Sequence, residues 1–401
     1  MRAYSASSEE AVRARDLLKD WTGEGFLTEA QYQRMEQETV CDLRRTNIFL
    51  RLVLFLFTLI IMAAAVGLFF AVFFSHSGEQ TVGIILLIFA ALSYAAAEIA
   101  VSQAQLYRYG IEEALAACSV GFLCVGMQTA FFSGHPYSPA DGTAFLVPAA
   151  GAIASLWIWH RFGLFYASLG AMIFVVWLPG YWTSSHSVQH VIVAAFYTVA
   201  LCTVAAVRSR HRFTYLNQQY SIAEALLWLG IYLAINLQLS SVIPLGHWWS
   251  RSPATAEFSR PFYWATWVLI WCLPPVVLAR GLRQKDRFVI AVGAIAAILT
   301  LVTNKPYLGW QRHTWDPMLM GVLLVGATLF IRRWLAAGPG GIRHGFTAQR
   351  LSGKDKSWIN AGAASLGLVS PQTITPSPQT SSPDVHFGGG DSGGGGASSD
   401  F

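Results

Sequence analysis

Residues 48–74 read Ile48-Phe49-Leu50-Arg51-Leu52-Val53-Leu54-Phe55-Leu56-Phe57-Thr58-Leu59-Ile60-Ile61-Met62-Ala63-Ala64-Ala65-Val66-Gly67-Leu68-Phe69-Phe70-Ala71-Val72-Phe73-Phe74. The run carries one charge, Arg51. As a helix rising 1.5 Å per residue it reaches ~40 Å, more than the ~30 Å hydrocarbon core of a bilayer. It starts too deep in the chain and runs too long for the h-region of a cleaved signal peptide. The expectation is an uncleaved signal-anchor, with Arg51 snorkelling back to the cytoplasmic headgroups.

Nine further apolar stretches follow: Thr81–Val101, Ile111–Phe132, Thr143–Trp159, Gly163–Pro179, Val188–Val207, Ser221–Ile243, Phe262–Ala279, Phe288–Thr303 and Pro317–Leu335. Hydrocarbon offers no partner to an open backbone, and continuous apolar runs are not the alternation of a barrel, so these segments are helices. Over 401 residues, 54% are hydrophobic and only 12% charged, against ~25% charged in soluble chains. That balance excludes a soluble enzyme, a nucleic-acid binder and a disordered chain. The expected fold class is all-α, a polytopic bundle of about ten spans whose first partner is the lipid bilayer.

Charge in the turns sets orientation. With the N-terminus in the cytoplasm, Arg108, Arg161, Arg208, Arg210, Arg212, Arg280, Arg283, Lys285, Arg287 and both termini fall inside, and only Arg251, Arg260, Lys305 and Arg312 fall outside. Of 27 basic residues, 4 are outside and 27 − 4 = 23 inside, the bias of the positive-inside rule. Both termini are expected to be cytoplasmic. The five cysteines show no CxxC spacing, and four lie within spans, so neither a disulfide framework nor a metal site is expected.

Three regions follow: a cytoplasmic helical hairpin (1–46), the multi-span domain (47–336) and a disordered Pro/Ser/Gly-rich tail (337–401). In the hairpin, Leu17, Leu18 and Trp21 share a face, Gly23-Glu24-Gly25 breaks the first helix, and Thr28-Glu29-Ala30-Gln31 is a capping box opening the second, with Leu27 and Tyr32 as its staple. So small a unit must dock, on the membrane domain, on a second copy or on a protein partner through residues 9–45. The bland alternative is a solubilising lead-in. The tail, from Gly338-Pro339-Gly340-Gly341 through Pro371, Pro376, Pro378 and Pro383 to the glycines around Gly388–Gly396, reads as a tether.

The stretch Trp21-Thr22-Gly23-Glu24-Gly25-Phe26-Leu27-Thr28-Glu29-Ala30-Gln31-Tyr32 before a long first span resembles the start of a bacterial family of predicted inner-membrane proteins of unknown function. The segment from Glu113 through Gly126, Gln128 and His135 is similar to a feature of that family, so the likeness covers about the first 150 residues. It implies the bacterial inner membrane and brings no catalytic residues. The glycine tail resembles those of other bacterial envelope proteins in composition alone.

A further pattern is internal. Tyr109-Gly110-Ile111-Glu112-Glu113-Ala114-Leu115 opens the third span, and Tyr220-Ser221-Ile222-Ala223-Glu224-Ala225-Leu226 opens the seventh. Gln128 then Gly134-His135 follow the first copy, Gln238 then Gly246-His247 the second. Copies four spans apart enter from the same side, which predicts a parallel repeat about an axis along the membrane normal. Glu113 and Gln128 lie ~60° apart around their helix, Glu224 and Gln238 ~40°. These residues, with Glu98, are the candidates for a polar solute or ion path. Against that stands a structural reading in which Glu113 and Glu224 are helix-start acids, Gln128 and Gln238 glue between helices, and Glu98 the partner of a loop arginine.

The outer loops hold aromatics and histidines. His135, His247, Trp248, Arg251, Arg260 and Arg312 are the candidates for an outer-face site gripping a glycan or lipid phosphate; an interfacial aromatic belt is the plainer explanation. No HExxH, GxSxG or GxxxxGK[ST] motif occurs, so no catalytic residue, metal or cofactor is assigned. Pro274-Pro275 predicts a kink. Two functions remain: non-enzymatic envelope transport or membrane scaffolding, and an envelope glycan- or lipid-modifying enzyme.

Overall fold

A computed structural model describes residues 2–23, 25–39, 43–73, 78–132, 143–211, 216–240, 258–310, 315–338, 342–343 and 346–347. Up to Ala336 the described elements are all helices: α1 (Ala6–Gly23), α2 (Glu29–Glu38), α3 (Ile48–Phe73), α4 (Glu79–Ser102), α5 (Ile111–Phe131), α6 (Leu146–Phe162), α7 (Phe165–Trp177, extended by a 3-10 turn to Tyr181), α8 (His186–Arg210), α9 (Asn217–Ile235), α10 (Leu237–Ser240), α11 (Arg260–Gln284), α12 (Arg287–Tyr307) and α13 (Asp316–Ala336). Each apolar stretch read from sequence forms a helix. Seven of them are long and apolar enough to cross a membrane: α3, α4, α5, α8, α11, α12 and Met318–Ala336 of α13. Shorter or more polar are α6, α7 and α9.

Small residues let the first helices approach. Gly83, Ala90, Ser93 and Ala97 of α4 are buried, as are Ser119, Gly126 and Ala130 of α5. A Cβ on Gly83 would run into the backbone of Ala130, so the two helices touch backbone to backbone there. At the start of α5, Gly110 has φ +107° and abuts the Arg51 carbonyl of α3, a position open only to glycine.

The turns sort into two ends. At one end Ala3 N donates to Arg161 O (2.9 Å), Arg44 N to Gln105 O (2.9 Å) and Tyr107 N to Arg44 O (3.0 Å), while Arg2 reaches Gln219 and Arg208 reaches Gln284. We call this the basic end. At the other, Phe145 packs on Trp182, His190 on Phe258 and Tyr263 on Tyr307, and Lys305 pairs with Asp316.

The hairpin forms with the predicted capping box: Thr28 N donates to Gln31 Oε1 (2.9 Å) and Gln31 N to Thr28 Oγ1 (3.4 Å). It docks on the bundle through α1. Its buried face differs from the one expected: Val12 and Leu18 are covered, whereas Leu17 and Trp21 are exposed. The cause is the preceding segment, where Tyr4 inserts against Tyr107 (4.9 Å, edge-on) and turns the Glu9–Val12 side of α1 inward. Nothing in α2 is buried. Ile342–Arg343 and Phe346–Thr347 pair as a two-residue antiparallel ladder where the sequence predicts only tail; residues 348–401 lie outside the described residues.

Two features matter for the site. The seventh stretch does not continue to Ile243: α9 stops at Ile235, Asn236 is extended (ψ 93°), and α10 restarts at Leu237. Helix α11 runs unbroken through Pro274 and Pro275. Proline has no N–H for the carbonyl four residues back. The Ile270 carbonyl instead accepts from Thr300 Oγ1 of α12 (2.9 Å).

Candidate functional site

The acids picked from sequence all meet arginines. Glu98, near the end of α4, takes two bonds from Arg161 in the last turn of α6 (2.7 and 2.9 Å) and one from the Tyr94 hydroxyl (2.8 Å), which itself accepts from Trp157 Nε1 (2.8 Å). Glu113 holds Arg51 in a bidentate pair, Nε to Oε2 at 2.9 Å and Nη2 to Oε1. Arg51 therefore does not snorkel to headgroups. A buried carboxylate one helix away offers it a charge-assisted fork that the interface cannot match in geometry.

Glu224 on α9 has no exposed surface, and each of its oxygens is taken by a different arginine. Arg208 Nη1 donates to Oε2 (2.7 Å) and Arg280 Nε to Oε1 (2.6 Å). Arg208 also reaches Asp286 (2.6 Å), Asn217 (3.0 Å) and Gln284 (3.2 Å). Asp286 in turn caps α12 through Phe288 N (2.9 Å) and accepts from Ser221 Oγ (2.6 Å). Two arginines face two carboxylates, so the cluster is charge-balanced. That is the condition under which buried ions are tolerated.

From Glu224 a stripe runs along α9 at intervals of four: Glu224, Trp228, Tyr232, Asn236. Twelve residues make ~18 Å of helix. Tyr232 and Asn236 are fully buried. The Tyr232 hydroxyl bonds Thr300 Oγ1 (2.9 Å), and Asn236 Nδ2 donates to Tyr232 (2.9 Å) and Thr303 (3.0 Å). At the break, Leu237 N donates to the Tyr307 hydroxyl (2.7 Å) and Leu239 N to Asn236 Oδ1 (3.3 Å), so side chains replace the interrupted ladder. Gln238 joins by donating to Tyr263 (3.3 Å), whose hydroxyl donates to the Tyr307 carbonyl (2.9 Å). Between the ion cluster and this network lies an apolar layer of Ala225, Val277 and Val289.

Glu224 and Gln238 thus belong to the two polar patches of one seam along α9, parted by that apolar layer and by Trp228, whose Nε1 has no partner among the described residues. Glu113 and Gln128 do not: Glu113 is locked to Arg51, and Gln128 is half-buried ~22 Å further along α5. His135, His247, Trp248, Arg251 and Arg312 lie outside the described residues, and Arg260 is exposed at the start of α11. The seam residues missed from sequence are Tyr232, Asn236, Thr300, Thr303 and Tyr307. Their signal was the i+4 recurrence of polar-tipped side chains on α9, hidden among apolar neighbours. His190, buried and bonded to the Ala234 carbonyl (2.7 Å), was missed as well. The described cysteines, Cys118, Cys124, Cys202 and Cys272, are free thiols.

Fold and seam define an all-helical protein with seven helices long and apolar enough to cross a membrane and a polar interior in its second half. No family model, no curated protein and no solved structure matches this chain.

Proposed function

We propose that this is a non-enzymatic transport protein of the bacterial inner membrane, with ten spans, both termini in the cytoplasm, and a passage for a small ion or polar solute along α9. The observation that carries the reading is the seam itself. Two buried polar patches ~18 Å apart on one face of α9, the second at a mid-helix break satisfied by side chains, resemble the discontinuous helices that line transporter sites. Polar groups at such depth are costly and are kept where they serve a path or a pairing. The ten-span reading draws support from α6, α7 and α9, which run between the same two ends as the seven longer helices.

The parallel repeat gains a packing argument. Helix α5 packs on α3, α4 and α6; α9, four spans on, packs on α7, α8 and α11 and also on α12, a contact that α5 does not match to that extent with α7 in the first half; α6 with α7 corresponds to α11 with α12. The test is flux. The full chain in proteoliposomes with an entrapped H+-, Na+- or K+-sensitive dye in turn, under an imposed potential, is expected to pass at least one of these ions above the rate of empty vesicles. Asn236→Leu should abolish that rate, compared at equal amounts of folded reconstituted protein because Asn236 also satisfies the break after α9. Equal rates in loaded and empty vesicles for all three ions remove the ion reading.

Scaffolding is the second reading. Helix α2 buries nothing, α13 buries nothing among its described residues, and α3 buries only Val66, leaving faces for lipid or protein partners. The rival enzyme, working through the outer loops, draws no support from Arg260, which stands exposed.

A further inference from the structure

Helices α3, α4 and α6 gather around α5, and α8, α11 and α12 around α9. Thirteen-residue α7 joins the two groups, packing on α6 on one side and on α8 and α9 on the other. At the basic end the N-terminal segment crosses the same front. Ala3 N donates to the carbonyl of Arg161, in the last turn of α6 (2.9 Å). Arg2 Nη1 donates to Glu9 Oε2 of α1 (3.0 Å), and Arg2 Nη2 to Gln219 Oε1 in the first turn of α9. The Arg2 side chain is 16% exposed and that of Glu9 2%, so the pair is shielded from water. Tyr4 anchors the segment to the first group, with its ring edge-on to Tyr107 (4.9 Å) in a buried cluster with Ala97, Val101, Phe162 and Leu164. The surface on the far side fits what Arg2 grips. A Cβ on Gly163, just past α6, would stand 2.7 Å from Gln219 Nε2, so the missing side chain seats that amide. Beside it Tyr220 lies edge-on to Trp159 of α6 (5.7 Å) and stacked on His211 at the end of α8 (5.8 Å).

We propose that the segment from Arg2 to Glu9 is a latch with Arg2 as its arm. Engaged, it clamps the end of α6 on the start of α9 and holds the two groups closed at the basic end; disengaged, it lets them part there about α7. Anchor and reach are carried by different residues. Tyr4 and Ala3 fix the segment to the first group, and the guanidinium of Arg2 carries it across to α9. Letting go of α9 therefore needs one long side chain to change rotamer and no core residue to leave, a fast and local event. Glu9 keeps the arm aimed through a charge-assisted bond, so the engaged state is favoured without being fixed. The latch uses no residue of the α9 seam and stands whether or not that seam conducts.

The test is a distance at the basic end. Nitroxide labels on cysteines replacing His160, in the last turn of α6, and Arg210, in the last turn of α8, read the separation of the two groups by pulsed electron–electron resonance, in the full chain without its native thiols. Both positions are exposed and outside the latch. The parent should give mainly the short separation. Arg2→Ala and Gln219→Ala, which remove the arm and what it grips, should each add a longer-distance population. Arg2→Lys keeps the charge but loses the two-pronged donor, and should add less of it than Arg2→Ala. Gln219→Ala leaves Glu9 its cation, so it decides the matter even where Arg2→Ala fails to fold. Unchanged distances in folded Gln219→Ala would overturn the latch, even beside a lowered melting midpoint, since a segment that merely packs would respond in that way. A long separation already dominant in the parent would overturn it as well.

Discussion

Thr300 occupies a position where one methyl-for-hydroxyl exchange has a definite consequence. Its Oγ1 serves the Ile270 carbonyl that Pro274 leaves without a donor, and it meets Tyr232 across the α9–α12 contact. Thr300→Val keeps the shape but strands a buried carbonyl and takes from the Tyr232 hydroxyl one of its two partners. The expected loss is ~1–3 kcal/mol, the cost of an unsatisfied buried polar group. Thr300→Ser should recover most of it, and thermal melts in detergent compare the three. Glu224 raises the stakes. Removing it leaves Arg208 and Arg280 facing one another with only Asp286 to answer them. Breaking a buried ion pair from one side costs ~3–5 kcal/mol. Glu224→Ala should therefore fold poorly, with Arg280→Ala milder because its side chain is about a third exposed. Relative yields of folded protein after mild extraction read out the order. Of these residues, Glu224 was legible as an acid within an apolar span, but not as the helix-start acid expected, because α9 begins at Asn217 and Glu224 stands two turns inside it. Its partners were not, because Arg208, Arg280 and Asp286 come from three other helices and sequence spacing does not encode which turns meet.

Among elements, legibility follows range. Apolar length is a local signal, and each hydrophobic run became a helix; the Thr28–Gln31 box is local too, and its reciprocal bonds are present. Thr28→Ala should cost α2 ~1 kcal/mol, seen as faster amide exchange across Glu29–Glu38 with the rest of the chain unchanged. Less legible were features set by contact. The break at Asn236 has no proline or glycine to announce it; it exists because Tyr307 and Asn236 itself satisfy the freed backbone. The inward face of α1 is decided by Tyr4, outside the amphipathic pattern. Gly110 joins both kinds of information. Its φ of +107° is a local demand, and its contact with the Arg51 carbonyl is a tertiary one. Gly110→Ala should separate α3 from α5 and weaken the Arg51–Glu113 pair. A cysteine pair placed across α3 and α5 should then cross-link less readily than in the parent chain.

At the scale of the whole molecule, the turns that meet at the basic end were assigned to one compartment by charge alone. Contacts among Arg2, Arg44, Gln105, Arg161, Arg208, Gln219 and Gln284 gather the same turns at one end of the bundle. These are independent arguments: one counts Lys and Arg against the positive-inside rule, the other follows hydrogen bonds between distant segments. Their agreement leads to a topology prediction that flux and stability cannot supply. Single cysteines replacing Arg210 and Arg283 should be shielded from a membrane-impermeant thiol reagent in intact cells and react after permeabilisation, in a background lacking the native thiols. A cysteine at Trp310, at the opposite end, should react from outside. Tyr109 and Tyr220 must report the same side, because parallel copies four spans apart cannot face opposite ways. Opposite labelling of that pair would dissolve the repeat while leaving both ion clusters intact. Outside labelling at Arg210 and Arg283 would invert the molecule, with the N-terminal segment and Tyr4 carried to the far face.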